Sequence, residues 1–173
     1  QMFDWARALE NCPLPCGKRM AILTNAGGPG VIAADALETN GLTLSQLTES
    51  TLKALTTTLP PSASLHNPVD MLASASPETY ATCLKILLQD ENVDGVLVIL
   101  PPPPMFKTED VAEKIIQTLT LESDSLLSDN PEASFGTPES KTPESKPVVI
   151  ALMGSTLIEE ANKVFQHAHI PTY

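Results

Sequence analysis

The 173-residue chain predicts an α/β fold, an open doubly wound parallel sheet in a single domain. Three observations carry this. The runs VDGVLVIL (93–100) and KPVVIALM (146–153) have strand length and are apolar throughout, as strands buried on both faces are. Segments with helical spacing of apolar residues separate the strand-like runs. A glycine-rich turn, NAGGPG (25–30), joins the first strand-like run to the first helix-like one.

Taken in order, MFDWARAL (2–9) places Phe3, Ala6 and Leu9 on one helical face and reads as a lead-in helix, with a linker completing residues 1–17. The domain proper is expected over 18–173. RMAILT (19–24) is a short apolar strand. PGVIAADALETNG (29–41) is a helix: Pro29 suits a first turn, Val31, Ala34 and Leu37 keep helical spacing, and Gly41 supplies a stop. LTLSQL (42–47) alternates like a strand. Thr48 caps a helix over 48–59 that carries Leu52, Leu55 and Leu59. A loop over 60–76 leads to a helix over 77–90 opened by Pro77 and Glu78. After the strand at 93–100 comes PPPPM, then a helix over 107–120 with Val111, Ile115 and Leu119 in register. A helix over 155–168 and a last short strand at 170–173 follow the strand at 146–153.

Residues 121–146 interrupt this alternation. They are rich in Ser, Pro and Glu, and they contain the direct repeat TPESKTPESK. That composition predicts a disordered acidic surface insertion. Five strands remain, at 20–24, 43–47, 94–99, 147–152 and 170–173. The flavodoxin-like order 2-1-3-4-5 is expected for them. Its switch point lies between the first and third strands, where ligands bind in such sheets. The loops leaving those two strands hold NAGGPG and LPPPPM.

Composition narrows the function. The net charge of -11 argues against nucleic acid or an anionic membrane as partner. No apolar run approaches the ~20 residues that span a bilayer. The odd, sparse set Cys12, Cys16 and Cys83 suggests reduced thiols in a cytoplasmic protein. No second cysteine pair completes a zinc site with Cys12 and Cys16, and no metal site is expected. His66 reads as a loop histidine, and His167 and His169 as exposed residues at a helix end.

The turn at 25–30 has several readings. No Gly-Lys-Ser/Thr follows, which removes a P-loop. Gly28-x-Gly30-x-x-Ala33 nearly fits a dinucleotide fingerprint, and Glu49 lies about 20 residues on. Pro29, however, removes an N–H from that cradle, and Glu49 falls beyond the second strand. A small oxyanion is the stronger reading, since the first-turn N–H groups and the helix dipole favour one. Asn25 would add a side-chain donor. The structural alternative is a turn that serves only close helix–strand packing.

The stretches GKRMAILTNAGGPGVIAADALETNGL, LPPSASLHNPVDMLASASPETYATCLKILLQDENVDGVLVILPPPP and KPVVIALMGS, with EEANKVFQHAHIPTY, together resemble NDP-forming acyl-CoA synthetases. These include ADP-forming acetate–CoA ligases, relatives of succinyl-CoA synthetase. The resemblance covers nearly the whole chain outside 121–146. It implies the second succinyl-CoA-ligase-like, flavodoxin-type domain of a larger ligase that turns acid, CoA and ATP into acyl-CoA, ADP and phosphate.

On that resemblance, the phosphorylated histidine belongs to the preceding domain, and no catalytic residue lies in this chain. ATP, Mg and CoA belong to the parent enzyme, and none is bound here. The isolated chain is expected to be inactive. Its partners are the other domains of the parent and a small carboxylic acid or acyl phosphate. Asn25, Ala26, Gly27, Gly28 and Gly30 would meet the substrate or phosphoryl group, with Pro103, Pro104 and Met105 opposite. The prolines depart from the family pattern, because they have no N–H to offer an anion; they would form an apolar wall. Asn67 and Asp70 would brace the loop beside the glycine turn. A non-catalytic regulatory or docking domain on the same fold is the alternative function.

Overall fold

A computed structural model describes residues 12–128 and 146–173. The expected lead-in helix at 2–9 and most of the expected insertion, 129–145, lie outside the described residues. The elements are β1 (Arg19–Thr24), α1 (Gly27–Thr39), β2 (Thr43–Leu44), α2 (Glu49–Thr58), β3 (Val69–Asp70), α3 (Pro77–Leu88), β4 (Gly95–Leu100), α4 (Thr108–Ser128), β5 (Val148–Leu152) and α5 (Glu159–His167), the last preceded by a 3₁₀ turn at Thr156–Ile158.

The sheet is parallel throughout, in the order β2-β1-β4-β5, with β3 also paired to β1. The fold class read from sequence is therefore present, but the strand list changes. The fifth strand is Val69–Asp70, within the stretch expected to be loop. The expected last strand at 170–173 is one parallel bridge, Ile150 to Thr172, supported by backbone bonds from Leu152 N to Tyr173 O and from Tyr173 N to Ile150 O. The alternating run at 42–47 pairs only at Thr43 and Leu44. Helix α4 continues to Ser128, so the first residues assigned to the insertion are helical.

Alternation along the strands divides the sheet into two faces. Ala21, Leu23, Val96, Val98, Leu100, Val148 and Ile150 join one core with Leu55, Tyr80, Leu84, Leu87, Val111, Ile115 and Phe165 from α2 to α5. Helix α1 lies on the other face, where its Gly30 approaches Thr24. Val31 and Ile32 are 59% and 71% exposed, so the face of α1 that meets the sheet is not the one read from Val31. Gly30 is the buried residue of this helix.

Both ends of the central pair β1–β4 are fixed by side chains. At the N-terminal end, Arg19 Nη2 lies 2.7 Å from Asp94 Oδ1, and Arg19 Nε and backbone N donate to Asp94 Oδ2 at 3.0 and 2.8 Å. This fork-to-carboxylate geometry closes that end. Along the outer edge of β1, β2 and β3 leave a gap, and the Asn67 carboxamide fills it. Asn67 Oδ1 accepts from Ile22 N at 2.9 Å, while Nδ2 donates to Met20 O at 2.7 Å and to Ser45 O at 3.2 Å. One side chain thus reaches backbone groups on both sides of the gap and gives the buried Ile22 N its acceptor.

Two outcomes follow from these contacts. Asn67→Ala leaves Ile22 N without its acceptor, while Met20 O keeps its bond from Ser45 N, and it is expected to lower stability by about 2 kcal/mol, read by urea unfolding. The Arg19 side chain holds the Asp94 carboxyl below its ordinary value of 3.8. A depressed folded value means that this stabilisation is complete above about pH 4 and is lost as pH falls through the lower folded value. Asp94→Asn should therefore reduce the acid-side loss of stability measured between about pH 4 and pH 2.

Candidate functional site

The chain crosses from the β2/β3 side of β1 to β4, which makes the C-terminal ends of β1 and β4 the switch point of the sheet. Thr24 pairs in register with Ile99 there. The loop after Thr24 leads straight into α1, and the loop after Leu100 carries the four prolines. Asn25 spans the two: its Nδ2 donates to Pro101 O at 3.4 Å.

The turn is folded by its own residues. Thr24 Oγ1 accepts from Ala26 N at 3.2 Å, and Ala26, in extended conformation, is the N-cap of α1. No side chain caps this helix, and no acidic residue stands in its first turn. Gly27 and Gly28 are the first two helical residues, whose N–H groups have no intrahelical acceptor. Both are exposed. Pro29 comes third, where an N–H would also be unpaired. It therefore costs no helix bond, although it removes one donor.

The glycines differ in why they are glycine. A Cβ on Gly30 would lie 3.3 Å from Pro68 Cβ and 3.3 Å from Thr24 Cγ2, so Gly30 permits close packing of α1 on the sheet. A Cβ on Gly27 would lie 3.0 Å from Asp70 Oδ2. A Cβ on Gly28 would meet nothing within 4 Å. Packing within this chain accounts for Gly30 and not for Gly28.

β3 brings the second group of residues. Asp70 Oδ1 accepts from Leu72 N at 2.9 Å, and Met71 N donates to Thr24 O at 2.8 Å. Asp70 therefore stands beside the first turn of α1, held by β3 and by Asn67 three residues earlier. Tyr80, from the first turn of α3, is fully buried, and its hydroxyl has no partner among the described residues. Burial, with the charge of Asp70 adding to it, holds this phenol well above its ordinary value. Asn25 is 4% exposed, and its Oδ1 also lacks a partner.

Asn25, Ala26, Gly27, Gly28, Gly30 and Asp70 therefore gather at one end of the sheet, while the Asn67 side chain lies farther back along β1, on Met20 and Ile22. The Asn25 amide nitrogen is turned to Pro101 O, and its Oδ1 has no partner among the described residues. The Pro103, Pro104 and Met105 group lies on the loop after β4. Pro103 is buried, Pro104 and Met105 are exposed, and α4 begins only at Thr108. These residues precede the helix start and offer no first-turn amides. The sequence reading missed Thr24, Pro68 and Tyr80. Thr24 could have been found as a hydroxyl two residues before an uncapped helix start; Pro68 and Tyr80 arrive only through tertiary packing.

The Ligase-CoA domain family profile matches residues 20–121, which include the turn, β3 and β4. The chain is 40% identical to the acetate–CoA ligase [ADP-forming] II subunit alpha of Pyrococcus furiosus, over all of this chain and 34% of that protein. Among solved structures, PH0766 from Pyrococcus horikoshii OT3 superposes with a TM-score of 0.81 at 38% identity, over 99% of this chain and 35% of that one. The dinucleotide-forming acetyl-coenzyme A synthetase 1 of Ca. Korarchaeum cryptofilum, solved with phosphate and ADP, gives a TM-score of 0.80 at 28% identity, over 99% and 32% of the two chains. The chain thus spans about a third of the length of these three relatives.

The two glycines separate packing from exposure in one experiment. Gly30→Val is expected to lower stability by about 2 kcal/mol through overpacking against Pro68 and Thr24. Gly28→Ala is expected to raise it by up to about 1 kcal/mol, since a helical glycine is replaced where space is open. Thermal melts of the two variants check both signs. The profile match and the relatives, added to a parallel sheet with this uncapped glycine turn at its switch point, show that the chain belongs to the Ligase-CoA domain family.

Proposed function

We propose that this chain is a domain of an ADP-forming acyl-CoA synthetase and that the N-terminus of α1 faces the acyl-acid or phosphoryl group during turnover. The observation that carries this is the open first turn. Gly27 and Gly28 present exposed N–H groups with no capping side chain, and Gly28 has no packing reason to be glycine. Such a turn stabilises negative charge through oriented amides and the helix dipole. Catalysis here is electrostatic: fixed donors wait where charge develops and need no reorganisation.

The rest of the machinery lies elsewhere in the parent. The phosphate-carrying histidine, the ATP and Mg site and the CoA site belong to other domains, and the transferred group reaches α1 from them. The exposed Pro104 and Met105 would line the acyl side of the crevice, since proline has no N–H for an anion. The setting is cytoplasmic, where ATP and CoA are supplied.

The test uses the parent protein. Gly28→Ala adds one methyl group in front of the first-turn amides while leaving the fold intact. It is expected to lower acyl-CoA formation at least about tenfold, because small displacements of the reacting group are costly. The 173-residue chain alone, given acetate, CoA and ATP, is expected to form no acyl-CoA. Unchanged activity of the Gly28→Ala parent, or ligase activity of the chain alone, would overturn the proposal.

A further inference from the structure

We infer that the part of the sheet's second face formed by β4 and β5 is a docking surface, and that its occupant is this chain's own N-terminal segment, residues 2–9. The inference does not depend on the reading of α1 as an oxyanion site. A wholly parallel sheet is normally covered on both faces. Here the covering is uneven. Helices α2 to α5 all feed the core on one face, through Leu55, Tyr80, Ile115 and Phe165 among others. Among the described residues, α1 alone lies on the second face, and it packs on β1, β2 and β3.

Strand alternation puts Leu97 of β4 and Val149 and Ala151 of β5 on this second face, beyond the strands that α1 covers. Leu97 pairs in register with Val149, so the three side chains form one apolar patch. Each of them is partly exposed, whereas Val96, Val98 and Ile150, on the core face of the same strands, are fully buried.

The course of residues 12–18 names the occupant. This stretch is held against the N-terminal end of the sheet: a Cβ on Gly17 would stand 2.2 Å from Asp94 Oδ2. By Cys12 the backbone has reached β5, where the Cys12 thiol donates to Val148 O at 3.6 Å, one residue before Val149. Residues 1–11 are therefore delivered beside the patch. In MFDWARAL, Met2, Phe3, Trp5, Ala6 and Leu9 share one helical stripe, and Asp4 and Arg7 fall outside it. Eight residues of helix are about 12 Å long, enough to lie over two strands ~4.8 Å apart. A second copy of the chain is a poorer fit, because three side chains cannot supply the ~800 Å² per partner that a stable interface buries.

Trp5 is the one tryptophan of the chain and reports on the segment directly. In the unmodified chain its quenching by acrylamide is expected to be at least about twofold weaker than in a Phe3→Ser, Leu9→Ser variant, whose stripe no longer holds it against the sheet. Those two substitutions lie outside the sheet and leave its packing alone. Ala151→Glu places a charge on the patch from the other side and should expose Trp5 in the same way. Deleting residues 1–11 is expected to shift the methyl NMR signals of Leu97, Val149 and Ala151, while those of Val31 and Ile32, on the outward side of α1, stay in place. Trp5 as open to acrylamide in the unmodified chain as in the double variant would overturn the inference. So would methyl signals at Leu97 and Val149 that ignore the deletion, which would leave the patch to another domain of the parent. Protection of Trp5 that fades on dilution would give the patch to a second copy and overturn it too.

Discussion

The arrangement of this domain depends on one side chain, the carboxamide of Asn67. β1 has to serve two partners along the same edge, β2 at its start and β3 at its end. Between them the edge would leave Ile22 N unpaired in a buried position, while Met20 O already accepts from Ser45 N. Asn67 supplies both an acceptor and a donor there and reaches Ser45 O as well. An amide carries its acceptor and its donors on two separate atoms, which no apolar residue can supply. With this stitch in place the chain enters β3, and β3 delivers Pro68 and Asp70 to the first turn of α1.

The two ends of the sheet then have opposite characters. At the N-terminal end, Arg19 and Asp94 pair in a closed fork, and the Lys146 ammonium donates to Asp90 O at 2.5 Å. Charges there are matched within the fold. At the C-terminal end, polar groups are left unmatched: two glycine amides, one carboxylate oxygen and the buried Asn25 Oδ1. Buried polar groups are normally satisfied, so the unpaired Asn25 Oδ1 sets this end of the sheet apart from the other.

Local sequence carried much of this. The apolar runs at 93–100 and 146–153 could be little else than strands, and Thr48, Pro77 and Glu78 announced their helices. NAGGPG stood out because glycine clusters are costly unless a turn or a close approach needs them. Other features were less legible. A two-residue strand such as Val69–Asp70 has no periodicity to read, and its existence depends on β1 lying beside it. The helix at Thr108 runs on to Ser128 through residues of ordinary helical propensity, which the nearby Ser- and Pro-rich composition obscured. Val31 kept helical spacing and still faces outward, because the small side of α1 at Gly30 is the one that fits against the sheet.

By itself the sequence determined the alternation of strands and helices, the position of the glycine turn after the first strand, and the family, since these follow from local pattern and motif order. Tertiary structure alone decided which glycine is for packing and which is open, that Asn25 presents an acceptor, and that Asp70 stands beside the first turn. Those are relations between residues some 45 to 75 positions apart, Asp70 with Gly27 and Asn25 with Pro101. No local propensity encodes such distances; they exist only once burial and hydrogen-bond satisfaction have fixed the strands in register.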